Sequence, residues 1–386
     1  MRPFLRSNQR SADQPPASVS GRESGANHLR TPRRSEAGLA IGPLNIAGQG
    51  VAWARAARKH LDVNAFSLGM NGAITNRLRG VTPLSERADY LIPHYKLTPA
   101  AWRKQWLRGK LTGITHLIAE SNVPIFGDPK TARFVDEIGF YTELGIASAV
   151  VFHGSDARDP ELSVELDAHS YFRDAEHEWV DRIGSLAALN RESVRQAGLR
   201  VFVTTPDMLD HVPDAHLLPI SIDPNHWQTD HRPFDGGLPR VLHNPSSPLT
   251  KGTRYITPVL EDLERQGRIE ILRTRTVPHH RMRQLYQTAD IVVDSIQIGA
   301  YGVTALEAMA AGRLVVAHVP AHVRNAMGSD VPIVEATPAT FRGVMDDLLT
   351  DVDKMIATSA AGMSYVRRWH DGRAAADAIA QFMAAG

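Results

Sequence analysis

From Gly38 onward the chain alternates short apolar runs with longer amphipathic stretches, and it does so twice, on either side of a break rich in Pro, Asp and His. An apolar run too short for a buried helix, followed by a stretch of helical period, is the pattern of a parallel strand covered by helices on both faces. The expected class is therefore α/β with doubly wound sheets. In the first half the strand candidates are Leu39 to Pro43, Val63 to Leu68, Tyr90 to Pro93, Ala147 to His153 and Arg200 to Thr204. Between them lie helix candidates at Val51 to Lys59, Pro99 to Arg108, Lys130 to Leu144 and Glu178 to Ala197. The second half repeats the rhythm with strands at Arg240 to His243, Ile269 to Leu272, Asp290 to Val293, Leu314 to His318 and Pro332 to Val334. Its helix candidates are Thr253 to Gln266, His280 to Thr288, Val303 to Ala311 and Pro338 to Leu349, followed by a helical stretch from Asp351 to Ala385.

A length of 386 residues calls for two cores rather than one. The expected division is a tail over 1–36, a first Rossmann-like domain over 37–222, a linker over 223–238 and a second over 239–365. Residues 366–386 form a terminal helix that can pack back on the first domain. The tail carries seven Arg against Asp13, Glu23 and Glu36, a charge of +4, so a total of +1 leaves the remainder at −3. Its Ser-, Arg-, Pro- and Gly-rich composition cannot offset the entropy of ordering, and it reads as disordered. Without an apolar stretch it is no secretory leader, which makes a cytoplasmic address the default. A mildly acidic folded part argues against nucleic acid as the main partner. No apolar run approaches the length of a membrane span. The absence of cysteine excludes disulfides, thiolate metal sites and cysteine nucleophiles.

The most informative segment is Ala289 to His318, ADIVVDSIQIGAYGVTALEAMAAGRLVVAH, which reads as strand, small-residue loop, helix, glycine stop and strand. Gly299, Ala300, Tyr301 and Gly302 precede the helix with little bulk, so backbone N–H groups and the positive helix end face a crevice where a diphosphate fits. Glu307, about one and a half turns into the helix, can accept hydrogen bonds from ribose hydroxyls. A surface carboxylate on an ordinary helix start is the plainer alternative.

Leu306 to Gly312, LEAMAAG, matches residue for residue the L-E-A-M-A-x-G helix of retaining glycosyltransferases of the GT-B fold, the large family-4 class. This resemblance implies two Rossmann-like domains facing a central cleft. It also implies that Glu307 holds the ribose of a sugar nucleotide and that the Tyr301 to Thr304 amides face the diphosphate. Family members usually carry a first Glu eight positions earlier, where this chain has Gly299. A second match, Val241 to Thr253 (VLHNPSSPLTKGT), puts His243, Lys251 and Gly252 beside the diphosphate. Ser246 stands where many relatives have Arg, and Ser246 and Ser247 can bond phosphate instead. In the matching stretch Ile269 to Asp290 the backbone of Val277 would meet the base, with Met282 and Tyr286 as helix core.

In the first half, Ala147 to Pro160 delivers His153, Gly154, Ser155 and Asp156 at a strand's carboxyl end, the edge where open α/β sheets gather ligands. The resemblance puts His153 near the sugar, with Asp156 and Arg158 shaping the acceptor side. The glycine-rich turn Gly42 to Gly50, GPLNIAGQG, does not have the spacing of a dinucleotide fingerprint. By resemblance it faces acceptor and diphosphate through Asn45, Gly48 and Gly50. His177-Glu178 and His279-His280 lack the i, i+4 pairing and third ligand of a zinc site. Neither a metal nor a resident cofactor is expected.

The sequence therefore points to a hexosyltransferase that uses a nucleoside-diphosphate sugar and an acceptor hydroxyl, retains configuration and needs no metal. Its catalytic candidates are His153, Lys251 and Glu307. Two alternatives stand beside it: a catalytically silent nucleotide-sugar binder, and an enzyme of the same fold forming a non-glycosidic bond to a cyclitol. In Pro99 to Lys110, Trp102 and Trp106 share a face beside Arg103, Lys104, Arg108 and Lys110. That pattern fits a helix packed by its tryptophans, with contact to an anionic membrane surface as the alternative.

Overall fold

A computed structural model describes residues 37–70, 88–274, 277–327 and 330–385, so the tail expected to be disordered lies outside the described residues. Among the described residues the first lobe has seven strands: β1 (Gly38–Gly42), β2 (Asn64–Met70), β3 (Tyr90–Ile92), β4 (His116–Glu120), β5 (Ala147–Phe152), β6 (Arg200–Val203) and β7 (His216–Leu217). All are parallel, in the order β3-β2-β1-β4-β5-β6-β7. The second lobe holds β8 (Arg240–Leu242), β9 (Glu270–Ile271), β10 (Ile291–Val293), β11 (Leu314–Ala317) and β12 (Val334–Glu335), also parallel, in the order β12-β11-β10-β8-β9. In each sheet the strand order reverses beside the first strand, between β1 and β4 and between β8 and β10. That reversal opens a crevice at the carboxyl ends.

The strands are buried on both faces, as parallel sheets must be. Leu39, Ile41, Ile118, Ala149 and Val151 share one core under the Gln49–Leu61 helix, and Ala40, Leu117, Ala119 and Val150 share the other. Two strands lay outside the sequence reading, β7 and the central β4. The apolar part of β4 is only Leu117 to Ala119, between a histidine and a glutamate, and a buried Glu120 is not an apolar signal. The helix expected over Lys130 to Leu144 is a 3-10 turn at Phe134–Glu137 followed by a short α-helix, Ile138–Glu143. Glu137 turns inward there, accepting from the amides of Ile125, Phe126 and Gly127 and from the Tyr141 hydroxyl, so its place in an amphipathic pattern was misleading.

The Ala100–Lys110 helix packs one of its two tryptophans, Trp106, against the first-lobe core. Arg103 is buried and donates to the carbonyls of Phe126, Tyr95 and Thr98, while Trp102 stands 73% exposed and packs no core.

The chain passes between the lobes twice. On the first passage, from Leu218 to Trp227, Ile222 donates to the carbonyl of His370 at 2.9 Å and the His370 ring meets the Ile220 carbonyl at 2.8 Å. The C-terminal stretch is two helices, Val352–Trp369 and Arg373–Ala384, broken at Gly372, whose φ of 99° only glycine holds without strain. The second helix returns to the first lobe and buries Ala375, Ile379 and Phe382 against Leu39, Ile41 and Trp53. Among the described residues no helix is long and apolar enough to cross a membrane.

Candidate functional site

The carboxyl edges of the two sheets face each other across two cavities of about 310 Å³ each. Ala47, Gln49 and Val303 line both, so the cavities meet at a waist between the glycine-rich turn and the start of the Val303–Ala310 helix. That helix begins after Gly302 with no side-chain cap, leaving its first amides available to an anion. Gly48, with φ of 77°, and Ala47, with φ of 50°, turn the chain sharply on the opposite side.

One cavity belongs to Glu307. The residue is 3% exposed, and its carboxylate meets His279 Nε2 at 2.7 Å and the Tyr286 hydroxyl at 3.3 Å. Burial raises its pKa, and the contacts with His279 and Tyr286 oppose that rise. Two bonds leave lone pairs on both oxygens, enough to accept from a pair of vicinal hydroxyls. Trp227, His226, Arg55 and Asp223 complete this wall.

The other cavity brings His153, Gly154, Ser155, Arg158, Thr204 and Thr205 from the first lobe up to Thr250, Lys251, Ala300, Tyr301 and Gly302 of the second. Lys251 Nζ is ion-paired with Asp294, itself 3% exposed at the end of β10. Arg158 is buried against Asp207; burial disfavours its charge, but Asp207 more than restores it and its pKa is raised. The Tyr301 hydroxyl meets those of Tyr365, at 2.8 Å, and the ring of His370, at 3.3 Å, which ties the anion-facing loop to the interlobe passage. Gly252, at φ of 77°, leaves no room for a side chain, since a Cβ there would lie 2.7 Å from Ile296 Cγ1.

The structure brings His153, Lys251, Glu307, Gly48, Tyr301, Gly302, Val303 and Arg158 to the cavity walls. It does not bring the rest. The ring of His243 is held between the Val293 carbonyl and the Thr253 hydroxyl, each at 2.9 Å. Ser246 is exposed, and Ser247 precedes the short Pro248–Lys251 helix. Val277 packs against the second-lobe core. Asn45 caps the amide of Val51, Gly50 is buried beneath it, and Thr304 lies in the helix's first turn. The Asp156 carboxylate is taken up by the amides of His153 and Gly154 and by the Ser121 hydroxyl. At Gly299, φ is 75° and a Cβ would stand 3.2 Å from Asp167 Oδ2, a carboxylate of the first lobe.

Several lining residues escaped the sequence reading. Tyr171 comes from a segment of the first lobe that reaches across the cleft, and Trp179 from the His177–Gln196 helix after it: Tyr171 donates its amide to the Gln297 carbonyl, and Asp174 accepts from Gln297 and Tyr255. Gln49 exchanges two hydrogen bonds with the Ser221 backbone. In the sequence His279 stands out only as half of the pair His279-His280. Among the described residues, no cluster of three or more His, Asp or Glu side chains is arranged to hold a metal ion.

No family model matches the chain, and no curated protein matches it by sequence. Solved structures do resemble it. A glycosyltransferase from Rickettsia africae ESF-5 aligns with a TM-score of 0.54 at 12% identity, over 90% of this chain and 98% of that one. Sucrose-phosphate synthase from Thermosynechococcus elongatus aligns at 0.53 with 11% identity, over 90% and 98%. Two parallel α/β lobes facing a cleft, shared with these proteins over nearly their whole length, define the GT-B fold.

Proposed function

We propose that the chain transfers a hexosyl group from a nucleoside-diphosphate sugar to an acceptor hydroxyl, with retention of configuration and without a metal ion. The observation that carries this reading is the pair of cavities joined at a waist beside the uncapped start of the Val303–Ala310 helix. The nucleoside occupies the Glu307 cavity, the diphosphate spans the waist beside the Val303–Ala310 helix start, and the sugar reaches the His153 cavity. A sugar nucleotide has that order of parts.

In this reading Lys251, Gly302 and Val303 stabilise charge as it develops on the departing diphosphate, the step where fixed dipoles and cations contribute most. The acceptor hydroxyl attacks from the same face and passes its proton to the departing phosphate oxygen, so no protein nucleophile is required. His153 meets the sugar hydroxyls. Thr204, Thr205, Trp179 and Tyr171 form the outer wall toward which the acceptor approaches.

A second reading, a nucleotide-sugar binder without turnover, is favoured by one observation: Gly299 contributes no side chain and the space beside it is filled by Asp167. Incubation with a panel of nucleotide sugars, with water and then a library of hydroxyl compounds as acceptors, separates the two. Transfer predicts release of nucleoside diphosphate from at least one donor, at a rate increased by an acceptor. Saturable binding with no release from any donor would establish the binder instead.

A further inference from the structure

One ionisable group at the base of the first lobe's half of the site has no part in the chemistry above. Glu120 ends β4 and is completely buried. A buried carboxylate persists only when its lone pairs are satisfied. Oε2 accepts from the amides of Leu44, at 2.8 Å, and Asn45, at 2.6 Å, and Oε1 from that of Ile46, at 3.1 Å. Those amides open the turn whose next residues form the waist, and the turn holds Asn45 and Ala47 in left-handed backbone that an L-residue adopts only under constraint.

The same Oε1 stands 3.4 Å from His153 Nε2. That nitrogen is buried and makes no hydrogen bond within the protein, and Trp53 stacks on the ring at 5.7 Å between centroids. From the other side Asp156 fixes the His153 amide at 3.0 Å. Hydrogen bonds of working sites are commonly long before ligand binds and shorten in the complex. Burial works against a charge on Glu120, but His153 and the loop amides outweigh it and its pKa is lowered, which keeps the acceptor ionised.

We propose that Glu120 is a positioning residue of this site: one carboxylate fixes both the backbone of the phosphate-side turn and the imidazole that faces the transferred group. It rests on the reading of the cleft given above, because Glu120 lines neither cavity and acts only through groups that do. An imidazole whose Nε2–H points at Glu120 keeps Nδ1 as an acceptor for a sugar hydroxyl. The turn and the imidazole then move as one unit when ligand enters.

The test is Glu120→Gln. An amide presents one accepting and one donating edge, so it cannot serve Leu44 and Asn45 on one side and Ile46 and His153 on the other. Turnover is expected to fall about 10- to 100-fold, the range for losing a hydrogen bond to a charged group. Added to His153→Ala, the same change should cost several-fold less than it does in the parent, because only its hold on the turn is then left to lose. Losses that simply multiply would overturn the proposal.

A readout that needs no substrate is the 15N spectrum of the histidine rings in the free protein. His153 should be the Nε2–H form in the parent and lose that preference in Glu120→Gln, and an unchanged tautomer would overturn the proposal. Because this arm is independent of turnover, a chain that transfers nothing would refute the function and leave the positioning role to be decided by the spectrum. Should Glu120→Gln not fold, Glu120→Asp keeps the charge but draws it back by one methylene, and the same loss of tautomer preference is required.

Discussion

At the scale of single residues, Lys251 shows why an exposed-looking helix-start lysine differs from a surface one. Its ammonium is paired with Asp294, whose second oxygen has no hydrogen-bond partner and is buried. Removing the lysine alone leaves a buried carboxylate without its counter-charge, which destabilises the lobe and confuses the result. The combined change Lys251→Met with Asp294→Asn removes both charges at nearly constant volume. Turnover of that variant is expected to fall about 100- to 1,000-fold, as when one oxyanion donor is lost, with little change in affinity for a bare nucleoside. Steady-state kinetics beside nucleoside titration would check it, and equal losses in both would remove Lys251 from the phosphates. Lys251, Glu307 and His153 were legible because a charged residue at the end of a strand or in a small-residue loop stands out against its neighbours. Glu120 and Asp294 were not, because their charges are compensated by backbone amides and by a lysine distant in sequence.

At the scale of elements, the alternation of apolar and amphipathic stretches gave ten of the strands, since doubly covered strands must be apolar throughout. It missed β4, whose polar ends are satisfied by side-chain and loop contacts that only the folded chain supplies. It also missed the segment from Asp167 to Asp174 that reaches across the cleft. At one end of that segment His318 of the second lobe sits between Asp167, at 3.1 Å, and Glu335, with the His169 ring 5.7 Å away and Arg324 bonded to Glu335. Burial disfavours the charged imidazole, but the two carboxylates outweigh it and raise the pKa from 6.5 to about 9. A proton held more tightly by the folded state stabilises it fully below pH 6.5, and that contribution is lost as pH rises through about 9. The carboxyls of Asp167 and Glu335 are held below their usual values despite burial, so the bridge also weakens in acid as they take up protons. Denaturant titrations near pH 6.5 and near pH 9.5 should show the parent losing roughly 1–2 kcal/mol more than His318→Asn, after allowance for solvent screening. Parallel pH profiles would show that the bridge contributes nothing.

At the scale of the whole molecule, two lobes joined by two chain passages place the ends of two sheets on one cleft. The C-terminal helix closes the arrangement by completing the first lobe's core with Ala375, Ile379 and Phe382. Lobe closure of this kind brings together groups that are far apart in sequence, and His153 and Lys251 on one cavity wall are such a pair. The central claim is that Glu307 and the waist beside it hold a nucleoside diphosphate. Thermal unfolding of the parent and of Glu307→Ala in UDP, GDP, ADP and dTDP tests it most directly, because a ligand that prefers the native state must raise its stability. The parent should be stabilised by at least one of the four. Glu307→Ala should bind that nucleotide about 10- to 100-fold more weakly, the loss expected for hydrogen bonds to a charged group. A parent that responds to none of them, or a Glu307→Ala protein that responds as the parent does, would contradict the account.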